Sequence, residues 1–183
     1  MSSLLLSRQR DFSRSTGLDF NRDLTEWIRK GRSKTDRPVA NNTRLFLRGD
    51  GTVAVRYHWT DVVKIDKNGV FTLDSGGWTT ATTKERMNAY LPRYLGVFQR
   101  DGVWYLSVQL DPQSGDPVKA GRDWGLPETE LVYFYEDGIT IDGALVTRDD
   151  GLPMEPEATY RIEKGDRYKR TLVSKRQRLD VDA

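Results

Sequence analysis

"TRLFLRGDGTVAVRYHWTDVVKIDKNGVFTLD", Thr43 to Asp74, decides the fold. Apolar and polar residues alternate through four runs, 43–48, 52–58, 61–66 and 69–74. A period of two puts successive side chains on opposite faces, the signature of a half-buried strand. The runs are separated by "GDG" at Gly49–Gly51 and "KNG" at Lys67–Gly69. Asn-Gly favours a type I′ hairpin turn, in which both central residues need positive φ. The stretch therefore reads as an antiparallel β-meander.

Outward toward the C-terminus the same grammar continues. "YLGVFQRDGVWYLSVQL" (Tyr94–Leu110) is a hairpin turning at Asp101-Gly102. Residues Asp111–Glu130 are rich in Gly, Pro and Asp and read as a long loop, a feature often tied to function or motion. "LVYFYEDGITIDGALVT" adds two or three short strands around Asp137-Gly138 and Asp142-Gly143, and "ATYRIEKGDRYKRTLVS" offers a last weak hairpin. Lys175–Ala183 is polar and expected to fray.

Outward toward the N-terminus the period changes. In "LDFNRDLTEWIRK", Phe20, Leu24, Trp27 and Ile28 form one apolar stripe at helical spacing, and Gly31 is placed to end the helix. "GRSKTDRP" (Gly31–Pro38) then reads as an exposed linker. The expected architecture is α+β and mostly β, a curled or barrel-like antiparallel sheet with one packed helix at 83–91 and an N-terminal helix. The expected layout is a basic helical arm and linker at 1–40, a β-rich domain at 41–174 and a polar tail at 175–183.

The packed helix follows "DSGGWTTATTKERMNAY" (Asp74–Tyr90). Gly76 and Gly77 permit a sharp turn, and Trp78 is placed to bury its ring against the sheet. Thr82 and Glu85 have the spacing of a capping box; Met87, Tyr90 and Leu91 form an apolar stripe, and Pro92 stops the helix. The alternative is an anion site on the free amides of the helix start. The stretch lacks the spacing of either Gly-rich nucleotide signature, which favours the structural reading.

Composition narrows the chemistry. Of 183 residues, 37% are hydrophobic and 31% charged, ordinary for a soluble globular chain. There is no cysteine and one histidine, His58, so disulfides, thiolate sites and two-His metal sites are excluded. No Ser elbow, paired-carboxylate spacing or acidic metal cluster is visible, and neither metal nor cofactor is expected. The net charge of +2 is segregated. Residues 1–40 hold nine basic and five acidic residues, 161–183 hold eight and four, and 41–160 hold twelve and eighteen. Basic ends suit contact with nucleic acid or another acidic surface, and equally suit plain solubility. No apolar run reaches membrane-spanning or leader length, so an intracellular soluble protein is expected, without membrane contact.

His58 lies in "RYHWTD" (Arg56–Asp61), where strand alternation would place it with Arg56 and Thr60 on one face and Asp61 opposite. The candidate binding residues are Arg56, His58 and Thr60 on this stretch and Thr79, Thr80 and Lys84 on the turn. Aromatics such as Tyr57, Trp59, Trp78, Phe98, Trp104, Tyr105, Tyr133, Phe134 and Tyr135 could stack bases, with Arg44, Arg48 and Arg56 on phosphates. The core is the simpler home for most of them. Asp101, Asp137, Asp142, Asp149 and Asp150 read as turn residues capping their own backbone.

Residues Ala40–Pro92 resemble a family of uncharacterised tailed-bacteriophage proteins. The shared pattern is Asn41-Asn42-Thr43, then His58, Thr60 and Asp61, then Gly76, Gly77, Trp78, Thr80, Thr82, Thr83, Lys84 and Arg86. The family has no established activity, so the resemblance implies no catalytic residue. It implies a phage origin, with a role in the cytoplasm of an infected bacterium or in the virion. The leading expectation is a small non-enzymatic accessory protein binding nucleic acid or a host or phage protein. An enzyme or small-ligand binder with a site between His58/Thr60 and the Gly76–Lys84 turn, and a virion component, are the alternatives.

Overall fold

A computed structural model describes residues 16–119 and 125–177. Residues 1–15 of the expected arm, 120–124 of the long loop and 178–183 of the polar tail lie outside the described residues. Among the described residues the fold is α+β and mostly β: two helices and twelve strands in two open antiparallel sheets, with no closed barrel.

Helix α1 (Gly17–Arg29) starts at an N-cap Thr16, whose hydroxyl accepts from the Asp19 amide. Its stripe of Phe20, Leu24 and Ile28 is buried in the core. The helix start presses on the sheet where Gly17 meets Gly69; a Cβ on Gly17 would lie 2.8 Å from the Gly69 Cα. Asn21, also buried, donates to the carbonyls of Gly51 and Ile65, fastening α1 to two turns of the meander.

The first sheet has the order β1-β2-β3-β4-β5-β9-β10, made of Asp36–Ala40, Thr43–Leu47, Val53–Tyr57, Thr60–Ile65, Phe71–Leu73, Ile139–Asp142 and Leu145–Thr147. The meander is present as four consecutive strands, β2 to β5. Part of the expected linker is a strand: β1 pairs with β2 and carries Pro38 on the sheet edge, with an irregularity between Pro38 and Ala40. An edge position and a bulge are where a proline, lacking an N–H, is tolerated. Arg37 stacks over Trp27 at 3.9 Å and donates to its carbonyl at 2.7 Å, tying β1 to α1.

The Asn68-Gly69 turn is not type I′. Only Gly69 has positive φ, and the Asp66 carboxylate accepts from the Asn68 and Val70 amides, holding the turn from its first residue. The Asp101-Gly102 turn does have both central residues at positive φ.

The second sheet has the order β12-β11-β8-β7-β6, made of Tyr168–Lys175, Ala158–Lys164, Glu128–Phe134, Val103–Leu110 and Leu95–Arg100. The expected weak hairpin is a long one, and β11 also pairs with β8. Glu128, 1% exposed, receives Lys164 at 2.7 Å and Arg93 at 3.3 Å. The chain leaves the first sheet after β5, builds β6 to β8, returns through β9 and β10, then leaves again for β11 and β12. Buried side chains of both sheets and both helices form one hydrophobic cluster.

Between the sheets runs helix α2 (Ala81–Asn88), shorter and earlier than the expected 83–91. Its N-cap is Thr80, not Thr82: the Thr80 hydroxyl accepts from the Thr83 amide at 3.2 Å. Thr83, Arg86 and Met87 are its buried residues. No helix among the described residues is long and apolar enough to cross a membrane.

Candidate functional site

Three chain segments meet at one end of the inner strands β3 and β4 of the first sheet. The β3–β4 hairpin contributes Tyr57, His58, Trp59 and Thr60, β4 contributes Val62, and the strand-to-helix turn with the start of α2 contributes Ser75, Trp78, Thr80 and Thr83. Together they line a cleft of about 330 Å³. That is near the lower end of small-molecule sites, which are mostly apolar with a few convergent polar groups.

His58 and Trp59 are the two-residue loop of the hairpin, because Tyr57 pairs directly with Thr60. His58 therefore does not alternate on a strand. It sits at φ +52°, its ring 4.4 Å from that of Tyr57. The turn throws Trp59 into solvent, 92% exposed. Trp78, which also lines the cleft, is 70% exposed, so it is not a buried plug.

The Gly-Gly turn is shaped by a distant residue. Asp137, in the β8–β9 connection, accepts from the Ser75 amide at 2.6 Å, the Ser75 hydroxyl at 3.0 Å, the Gly77 amide at 3.2 Å and the Tyr135 hydroxyl at 2.8 Å. The Gly76 amide donates to Asp74 at 2.7 Å. The Ser75, Gly76 and Gly77 amides of the turn are thus taken by the chain's own carboxylates, and at the helix start the Thr83 amide is taken by the Thr80 hydroxyl. Burial raises the Asp137 pKa, but the hydrogen bonds from Ser75, Tyr135 and Gly77 outweigh it, leaving the carboxyl below its ordinary value. Burial, and then the hydrogen bond to Asp137, raises the Tyr135 hydroxyl well above its usual range. Asp137 is more than a turn residue capping its own backbone.

Of the residues singled out from sequence, His58, Thr60 and Thr80 line the cleft; Arg56, Thr79 and Lys84 do not. Arg56 is bound to Asp61 at 2.8 Å and lies over Phe46 at 4.9 Å. Arg48 shares Asp61, and Arg44 is paired with Asp36, so these arginines are engaged within the sheet. Lys84 reaches the other way, donating to Gln99 at 3.3 Å above the Trp104 ring. Sequence reading missed Tyr57, Val62, Ser75 and Thr83 as cleft residues, counted Trp59 only among generic aromatics, and read Trp78 as a buried plug.

The Ser75 hydroxyl donates a hydrogen bond to Asp137, and the Thr80 and Thr83 hydroxyls are 2.9 Å apart, holding each other. Among the described residues His58 has no hydrogen-bonded carboxylate to orient it as a base, and no group of three His, Asp or Glu is placed to hold a metal ion. Beyond the cleft wall, Arg86 is 7% exposed and faces the Tyr57 ring at 5.9 Å; its Nε and Nη1 are buried without a hydrogen-bond partner among the described residues, and Nη1 lies 3.8 Å from the Glu85 carboxylate.

A family model, the Kyanoviridae Gp96 protein, matches residues 21–139. The chain belongs to this family. Gp96 proteins are tailed-phage proteins of uncharacterised function. The Gp96 match takes in most of α1, the meander, every cleft residue and Asp137, and it stops at Ile139, the first residue of β9. No curated protein and no solved structure matches the chain.

Proposed function

We propose that this phage protein is a non-enzymatic recognition protein that holds a planar, uncharged ring of a macromolecular partner between Trp59 and Trp78. The observation that carries this reading is a pair of solvent-exposed indoles, one from the β3–β4 loop and one from the strand-to-helix turn, lining one apolar cleft. Two large aromatic faces left in water are costly unless a partner covers them, and stacking on them gives strong, flat recognition. Tyr57, His58 and Thr60 supply polar atoms at the cleft that no residue hydrogen-bonds among those described, enough to orient a ring by its edge.

The test is titration of the full chain with free nucleosides, indole and p-cresol, followed by the indole N–H resonances of Trp59 and Trp78. Saturable shifts at both, abolished for a ligand by Trp59→Ala or Trp78→Ala with the melting temperature retained, support the reading. Absence of any shift at millimolar concentrations of every probe overturns it.

A further inference from the structure

The second sheet turns a face to solvent that the cleft does not use. Strand register places Phe98 opposite Tyr105 and Tyr105 opposite Phe134, and the rings stack at 5.4 Å and 5.3 Å with interplanar angles of 20° and 30°. This half-buried aromatic row crosses three strands. Two residues along, the same face carries Val132 and Ala158 as a low floor. Beyond that floor Tyr160 stands under the Arg170 guanidinium at 3.5 Å, and Arg170 is paired with Glu130 at 2.7 Å. Aromatic walls and a small-residue floor make a groove of about 950 Å³.

The charge on the groove is uneven. Arg100 stands at one end, and Lys175 and Arg176 at the end of β12; all three are exposed, and none has a carboxylate within 4.0 Å among the described residues. Against them stand Asp101 and Glu157, while Arg170 and Glu130 cancel.

We infer that this groove binds single-stranded nucleic acid, the backbone tracking Arg100, Lys175 and Arg176 and the bases meeting Tyr105, Phe98 and Tyr160. A row of half-buried aromatic rings beside exposed cations with no carboxylate in reach is the chemistry such a strand requires, and stacking needs no particular sequence. A duplex would present its phosphates but keep its bases from the rings. This site is distinct from the Trp59–Trp78 cleft and stands or falls without it.

Fluorescence anisotropy of the full chain with labelled oligo(dT) and oligo(U), and with a duplex of equal length, tests the inference across a salt series. Expected are a preference for the single strands and an affinity that falls as salt rises, with a log–log slope near −0.7 per phosphate contacted. Tyr105→Leu, which preserves bulk, should weaken binding by about tenfold. Lys175→Ser with Arg176→Ser, both on exposed positions that folding does not need, should flatten the salt slope by about one to two contacts. Trp59→Ala should leave this binding unchanged. No binding at low salt, a preference for the duplex, or salt-dependent binding indifferent to both groove variants would each overturn the assignment.

Discussion

Asp137 and Gly76 show how single residues set the cleft. Asp137 gathers two backbone amides and two hydroxyls, reaching 62 residues back along the chain to Ser75. Replacing it by Ala strips those donors of their acceptor and should lower stability at neutral pH by roughly 1–2 kcal/mol, the site being partly in water. Because its folded pKa lies below the unfolded value of 3.8, its contribution is complete above the ordinary carboxylate range. It is lost as pH falls through the folded pKa. Melting temperatures taken from pH 7 down to pH 3 should therefore fall more steeply for the natural chain than for Asp137→Asn, and parallel curves would refute the role. Gly76 sits at φ +62°, and an added Cβ would collide with the Thr60 side chain, 2.9 Å from its Cγ2. Gly77 has φ +81° but open space around it. Gly76→Ala should cost about 1–3 kcal/mol, clearly more than Gly77→Ala, as chemical denaturation would show.

At the level of elements, helix α2 is started by Thr80, and Thr80→Ala should cost about 1 kcal/mol while Thr82→Ala changes little. Equal losses in urea melts would return the cap to Thr82. The sequence contains three threonines within four positions, and local spacing alone favours Thr82 because Glu85 completes a box. Tertiary geometry chooses Thr80, because the Asp137-anchored turn delivers the chain to the helix two residues sooner. The meander was readable because alternation recurs in every run and two of its three turns bear glycine. Strand β1 was not, since Pro38 and its charged neighbours look like a linker until an edge position makes them tolerable. The His58-Trp59 loop carries neither Gly nor Asn, so nothing local marks it as a turn, and both indoles of the cleft were misplaced as a result. The reach of Asp137 to Ser75 is long-range and leaves no trace in spacing.

For the whole molecule, α1 and both sheets share one hydrophobic cluster. Leu24, almost wholly buried, is a probe of that unity. Leu24→Ala should remove about 2–5 kcal/mol and should shift unfolding followed by far-UV circular dichroism and by tryptophan fluorescence together. Were residues 1–40 an independent unit, the fluorescence transition of the sheets would stay put while the helix signal moved. The two recognition surfaces divide in the same way: cleft variants should leave single-strand binding intact, and groove variants should leave nucleoside-induced indole shifts intact.

The return of β9 to the first sheet also has a kinetic consequence. Phe71 must find Ile141, and Leu73 must find Ile139, across a loop that contains α2 and three strands of the other sheet. Closing so distant a contact is slow, and proteins dominated by such pairings fold in milliseconds to seconds rather than microseconds. Asp137 lies two residues before that junction and can reach Ser75 only when it closes. During synthesis the meander emerges and can pair well before Asp137 exists to shape the Gly-Gly turn. The cleft is therefore among the last features to be completed, and a chain interrupted before β9 would carry both indoles without the Asp137 contacts that shape the turn bearing Trp78.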